Sequence, residues 1–241
     1  MQIVVLTALG VGGATVAGAV VGFLARGFAR RFSGSVMAFS AGVMLAAAIL
    51  GLILPSLDYP GRFPLLTALT GLLAGALSIR YLEGLVPCLQ KLTGLERPGA
   101  DAQSALLFVA AIAIHNLPEG LAAGVSFGTE DTAQALLIAG GIALQNVPEG
   151  MVIIAPMLSA GIRPGRTFCI GLATGLIEVV GTLLGFFAVT AASAILPFAL
   201  AFAGGTMLYV IVEEMIPESP SGLWLLAGFG VMLGCDYLLG G

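Results

Sequence analysis

Long apolar runs dominate the chain, and the polar positions between them fall in short clusters. Apolar segments cover about 3–25, 33–56, 63–86, 104–127, 133–158, 167–191, 193–213 and 221–239. Each is close to the roughly 20 residues a helix needs to cross a ~30 Å hydrocarbon layer. None alternates apolar and polar side chains with the period of two that a lipid-facing barrel strand requires, and a closed barrel is the only other backbone solution for crossing a bilayer. The pattern predicts an all-α, polytopic membrane protein with eight transmembrane helices, folded as a single domain over 1–241.

Composition points the same way. The 241 residues are 59% hydrophobic and only 9% charged, with a mean hydropathy of +1.08, more apolar surface than a water-soluble core hides. The net charge of -4 carries little meaning for a chain with so little soluble surface, and nucleic acid is not expected as a partner. Cys88, Cys169 and Cys235 stand far apart without CxxC spacing. They offer neither a disulfide framework nor a thiolate metal site, and read as small apolar residues. The N-terminus lacks the positively charged leader of a cleaved signal, and Ile3 to Ala25 is long enough to span, so this segment is expected to be the first helix of the mature protein.

Orientation follows from the nine basic residues. Arg26, Arg30 and Arg31 follow the first span, Arg80 lies late in the third with Lys91 and Arg97 beyond it, and Arg163 and Arg166 follow the fifth. Arg62 is the exception, while Glu130 and Asp131 occupy the turn between spans four and five. The positive-inside rule then makes the odd-numbered loops cytoplasmic and both termini extracytoplasmic, for a multi-pass protein of the cell membrane. The longest connection, Pro87 to Gln103, holds Pro, Gly and both charge signs but no histidine, and reads as a solvated linker with no metal-binding capacity. Small residues recur four apart at Gly18 and Gly22, Gly71 and Gly75, Gly120 and Gly124, Gly171 and Gly175, Gly181 and Gly185, and Gly230 and Gly234. Such spacing predicts close approach of helix backbones.

Three acids fall where acids are expensive. Glu119, Glu149 and Glu178 lie well inside spans four, five and six, with no Lys or Arg in those cores. An ionisable side chain at the middle of a span costs about 2.5–3.5 kcal/mol on insertion scales, so each demands a partner or a function. Protons or a cation must supply the missing positive charge. The local sequence decides between them: His115-Asn116-Leu117-Pro118-Glu119-Gly120 is echoed 30 residues later by Gln145-Asn146-Val147-Pro148-Glu149-Gly150. His115 and Glu119 share one helical face, as do Gln145 and Glu149, so each pair can grip one ion. Asn116 and Asn146 lie on an adjoining strip, where an amide oxygen can reach a second ion sharing the same carboxylates. Pro118 and Pro148 cannot donate to the carbonyls of Ile114 and Leu144, which leaves free oxygens beside the site and predicts kinks.

Imidazole nitrogen, carboxylates and amide oxygens without thiolate suit Zn2+, Fe2+, Mn2+, Co2+ or Cd2+ better than Cu+, and a hard Mg2+ site would lack the histidine. Met44 could add a thioether, although a Met in an apolar helix is ordinarily packing. An intramembrane metallohydrolase would need HExxH-like spacing with a general base, which is absent. A proton-only carrier would need neither His115 nor the paired amides. The expectation is a transporter and not an enzyme, whose metal is cargo and not cofactor.

These residues resemble the ZIP (Zrt-/Irt-like) metal transporters, in the GufA-like form that carries Gln in the second motif. The resemblance covers nearly the whole chain: eight helices, both termini outside, two P-E-G motifs and an acid in the sixth span. It implies a ZIP-like helical bundle with a binuclear site, formed by His115, Glu119, Gln145 and Glu149 for the main ion, joined by Met44, and by Asn116, Glu119, Asn146, Glu149 and Glu178 for its neighbour. It implies a homodimer that imports divalent metal, zinc before cadmium, iron, manganese or cobalt, by moving helices 1, 4, 5 and 6 against helices 2, 3, 7 and 8 in alternating access. Exchange of metal for protons would make that transport pH-dependent. The chain also departs from the family. Glu213-Glu214 stands where relatives carry a histidine followed by an acid, and with Asp236 these acids are candidates for a peripheral relay. Gln145 replaces a second histidine, which removes a nitrogen donor and leaves the preference for zinc open. The histidine-rich loop after the third helix is absent.

Overall fold

In the computed structural model, which describes residues 1–60, 62–93, 100–129, 131–217 and 221–239, the eight apolar segments form eight helical rods, and the described residues contain no strand. We number the rods in chain order. Helix α1 is Gln2–Leu24, and α2 joins Arg26–Ala46, a wider π-type stretch Ala47–Ile53 and Leu54–Asp58. Next come α3 (Pro64–Thr93), α4 (Ala100–Ser126), α5 (Thr132–Ser159) and α6 (Pro164–Ala191). A 3-10 turn Ser193–Ile195 leads into α7, which is Leu196–Val210 continued by a π-type turn Ile211–Met215, and α8 is Gly222–Leu239. Rods α1, α2, α3, α5, α6 and α7 each contain a described stretch long and apolar enough to cross a membrane, and α8 adds a shorter apolar helix, Gly222–Leu238.

The helix ends explain where the sequence reading erred. Hydropathy marks where hydrocarbon stops, but a helix continues as long as its residues favour it: α3 runs on to Thr93 and α4 begins at Ala100, through Leu, Gln and Lys, all good helix formers. Most of the expected 87–103 linker is therefore helical, and its remainder, 94–99, lies outside the described residues together with Arg97, as does Glu130. Cys169 and Cys235 are free thiols, and the side chain of Cys88 is outside the described set.

Local chemistry sets the other ends. Asp131 Oδ1 accepts from the backbone N–H groups of Ala133 (2.9 Å) and Gln134 (3.0 Å), an N-cap satisfying two of the donors that a helix start leaves open. Pro164 opens α6, where its missing N–H costs nothing. Helix α5 ends at Gly161, whose φ of 77° is reached without strain only by glycine. The bonds Ile162 N–H to Met157 O (3.0 Å) and Gly161 N–H to Leu158 O (3.1 Å) close the turn as a Schellman motif.

The rods pack in two groups. Helix α1 lies against α5 and α6, and α4 against α6 and α5; α2 lies against α8 and α7, and α3 against α7. The groups meet where α2 touches α5 and α4 touches α7. Lipid tails are as apolar as leucine, so association relies on close backbone contact, which the glycines provide. A Cβ on Gly18 would strike the Val147 carbonyl, on Gly75 the Phe202 carbonyl, and on Gly124 the Thr182 carbonyl. The expected pair Gly230 and Gly234 does not work this way, since neither has a neighbour within 4 Å; on α8 it is Gly228 that meets α2, at the Phe39 carbonyl. Between the groups sits an apolar cluster that includes Val43, Met44, Ile138, Ile142, Leu200 and Met207. Leu66, Leu73, Leu77 and Leu226 point outward, as side chains bathed in hydrocarbon should.

Candidate metal centre

Glu178, midway along α6, is the hub of a buried polar cluster. Its Oε1 accepts from Thr15 Oγ1 and from Asn116 Nδ2, both at 2.5 Å, and its Oε2 accepts from Asn146 Nδ2 at 2.5 Å. The two amides reach further to the carbonyls of Thr174 and Val11, at 3.3 Å each. Thr15, Asn116, Asn146 and Glu178 are all fully buried. A carboxylate accepts but does not donate, so each asparagine must turn its NH2 to Glu178 and its oxygen away. The same logic governs Gln145, whose Nε2 donates to Glu119 Oε1 at 2.6 Å.

The consequence is a group of acceptors without donors. Asn116 Oδ1, Asn146 Oδ1, Gln145 Oε1 and Glu119 Oε2 are buried and have no hydrogen-bond partner. Such atoms are uncommon, and each costs about 1–3 kcal/mol. Glu149 is buried as well. A set of oxygens with no donor and no lysine or arginine has the chemistry of a cation site.

The motif glycines make the cluster possible. A Cβ on Gly120 would strike the Glu178 carbonyl, and one on Gly150 the Thr15 carbonyl. Each P-E-G glycine thus brings a backbone close to a residue of the hub. Helices α4 and α5 continue through Pro118 and Pro148 without a break.

His115 is bonded across to the other helix group. Its Nε2 lies 2.6 Å from Glu214 Oε1, on the π-type turn that ends α7. Among the described residues, no group of three or more His, Cys, Asp or Glu side chains stands ready to hold an ion; the buried oxygens without partners belong to one carboxylate and three amides. Met44 is buried in the apolar cluster between the helix groups. The acids considered for a peripheral relay have separate surroundings. Glu213 is exposed, Glu214 pairs with His115, and Asp236 accepts from Gln134 Nε2 at 3.1 Å, about 16 Å along the α5 axis from Gln145. Sequence reasoning missed Thr15. Its only signal was a hydroxyl in an apolar helix, flanked by Gly12 and Gly18.

A bundle of apolar helices that buries three carboxylates among unpartnered amide oxygens defines a membrane protein whose interior takes up cations. Residues 93–237 match the family described as ZIP Zinc transporter. The chain is 38% identical over 203 residues to the zinc transporter GufA of Myxococcus xanthus, covering 78% of this chain and 80% of that one. It is 34% identical over 241 residues to the zinc transporter ZIPB of Bordetella bronchiseptica, covering 94% and 78%. The zinc transporter ZIP11 of Homo sapiens is 41% identical over 160 residues, 61% of this chain and 47% of that one. The chain belongs to the ZIP zinc transporter family, in its GufA-like branch.

Proposed function

We propose that the protein carries divalent transition-metal ions, zinc foremost, across the bilayer into the cytoplasm. The observation that carries this reading is the set of four unpartnered buried oxygens on Asn116, Glu119, Gln145 and Asn146. A first ion takes His115, Glu119, Gln145 and Glu149, with Met44 at its edge, once His115 releases Glu214. A second takes the oxygens of Asn116 and Asn146 together with Glu119 and Glu149, with Glu178 beside them.

Exposure supports that direction. Glu119 is 1% exposed, Glu149 6% and His115 8%, and the Glu214 side chain reaches 32%. Toward the start of α5, by contrast, Ile138, Ile142, Met44 and Met207 are sealed together. With the basic loops inside, these exposures support a site open toward the cytoplasm and closed to the exterior. Alternating access then moves α1, α4, α5 and α6 against the other group, across the seam where α2 meets α5 and α4 meets α7.

Liposomes containing the purified protein test the reading, with Zn2+ and Cd2+ uptake compared between the wild type and Glu119→Ala plus Glu149→Ala. Uptake by the wild type and none by the double variant is the expected result. Intact equilibrium binding without flux in the wild type would mean that the site holds metal but does not transport it. Proton flux without metal flux would make the protein a proton carrier.

A further inference from the structure

We propose that Ser40, on α2, is a further oxygen ligand of the main cation position, set one helical turn from Met44 and supplied from the helix group that faces the two motifs. The inference rests on the metal-transport reading above and adds to its site a residue that neither motif contains.

Ser40 is fully buried, and its Oγ has no hydrogen-bond partner. A serine inside a helix commonly returns its hydroxyl to a carbonyl three or four residues earlier. Ser56, Ser78 and Ser126 all do so, reaching the carbonyls of Ile53 (2.6 Å), Gly75 (2.6 Å) and Ala123 (2.8 Å). Ser40 leaves that bond unmade, which at a buried hydroxyl is destabilising unless something else occupies the oxygen.

Its place follows from the register of α2 on α5. A Cβ on Gly51 would strike Ile138 Cγ1, and one on Gly141 would lie 3.7 Å from Val43 Cγ1. Positions rise along α2 as they fall along α5, so the two rods run antiparallel. Three residues before Val43, Ser40 comes opposite Leu144; eleven before Gly51, it comes opposite Glu149. Either anchor sets it beside the stretch of α5 that carries Gln145 and Glu149. Direction agrees with height. Ser40 and Met44 are four apart and share a face, and Met44 packs in the cluster that includes Ile138 and Ile142 of α5. The hydroxyl thus stands about 6 Å along α2 from Met44, on the side of the second motif, where Gln145 Oε1 is also without a partner. A hydroxyl oxygen has lone pairs to offer a cation, and it is a harder donor than the Met44 thioether.

Ser40→Cys puts a thiol where the hydroxyl stands, and a Cd2+ ion within its reach forms a thiolate bond with its own ultraviolet charge-transfer band. The purified full chain is titrated with Cd2+ and read by absorbance and cadmium NMR. The references are the wild type, which retains Cys88, Cys169 and Cys235, and Ser126→Cys, whose parent serine is buried but partnered. S40C is expected to gain one cadmium–thiolate bond per chain over the wild type, with a cadmium signal moved downfield, and S126C to gain none. An S40C that binds Cd2+ with the wild-type spectrum overturns the inference while leaving transport standing. A wild type that binds no cadmium overturns the transport reading as well. Ser40→Ala gives a second measurement if S40C folds poorly. A hydroxyl without a partner holds no part of the fold, so the metal-free unfolding midpoint of S40A should be unchanged or higher. The rise in midpoint on adding Cd2+ should shrink, as a roughly fivefold loss of affinity requires. A rise equal to that of the wild type overturns the inference.

Discussion

His115 Nε2 and Glu214 Oε1 stand 2.6 Å apart, tying α4 to the end of α7 and so one helix group to the other. The turn that aims Glu214 is a widened one: Ile216 N–H reaches back five residues to the Ile211 carbonyl at 2.9 Å. Pro217 follows, and it has no N–H to offer the Glu213 carbonyl four residues earlier. Widened turns of this kind concentrate at functional sites. If His115 takes the ion as proposed, the turn places a carboxylate in competition with it, because Nε2 cannot serve Glu214 and a metal together.

Glu214→Gln should therefore tighten metal binding while slowing delivery. Replacing a charge-assisted hydrogen bond with a neutral one removes about 1 kcal/mol of that competition, or roughly fivefold in affinity. Equilibrium Cd2+ binding should strengthen by that factor while flux into liposomes falls. Weaker binding in this variant would instead make Glu214 a ligand.

How much of this could be read from the sequence depends on the direction of the contact. Contacts along a helix were legible, since the repeated spacing from His115 to Glu119 and from Gln145 to Glu149 fixes which residues share a face. Contacts across helices were not. Thr15 is 163 positions from Glu178, and His115 is 99 from Glu214. In water an apolar stripe would tell which way a helix turns, but helices with lipid on one side and apolar neighbours on the other are greasy all round. The face of α1 that carries Thr15 is marked only by its small residues, Gly12 and Gly18. For the same reason the spacing of Gly230 and Gly234 does not reveal that Gly228 is the glycine of α8 that packs.

Gln145→His tests the origin of metal selectivity. Gln145 keeps a buried amide oxygen without a partner, its NH2 being engaged by Glu119. An imidazole there adds a second nitrogen donor beside His115, which favours Zn2+ over Mn2+ in the usual ordering of first-row metals. Competition uptake should shift toward zinc by about tenfold. An unchanged ratio would mean that residue 145 does not touch the ion.

The two motif glycines should be far less tolerant than glycines of the same helices that face outward. Gly150→Ala drives a methyl into the Thr15 carbonyl, whereas Gly140 has nothing within 4 Å of an added Cβ. Overpacking of this kind costs about 1–3 kcal/mol, and alanine at an open helical site is neutral or mildly favourable. Thermal unfolding in detergent should show a clear drop for Gly150→Ala and none for Gly140→Ala. Equal midpoints would mean that α1 can retreat from α5 without penalty.

Metal binding should weaken as the solution is made more acidic. A divalent ion enters carboxylates and an imidazole only in their deprotonated forms, so loading releases protons. Each proton released per ion lowers the apparent affinity by about tenfold for every pH unit of acidification in the range where the groups compete. Cd2+ titrations between about pH 8 and 5.5 should thus show a progressive loss of affinity, and buffer-dependent heats should count the protons set free. Glu119→Gln plus Glu149→Gln, which removes two of the competing groups, should bind more weakly and with a flatter profile. A wild-type affinity and flux that stay level across that range would mean that the carboxylates hold no protons to exchange, and proton-for-metal exchange would be excluded as the basis of transport.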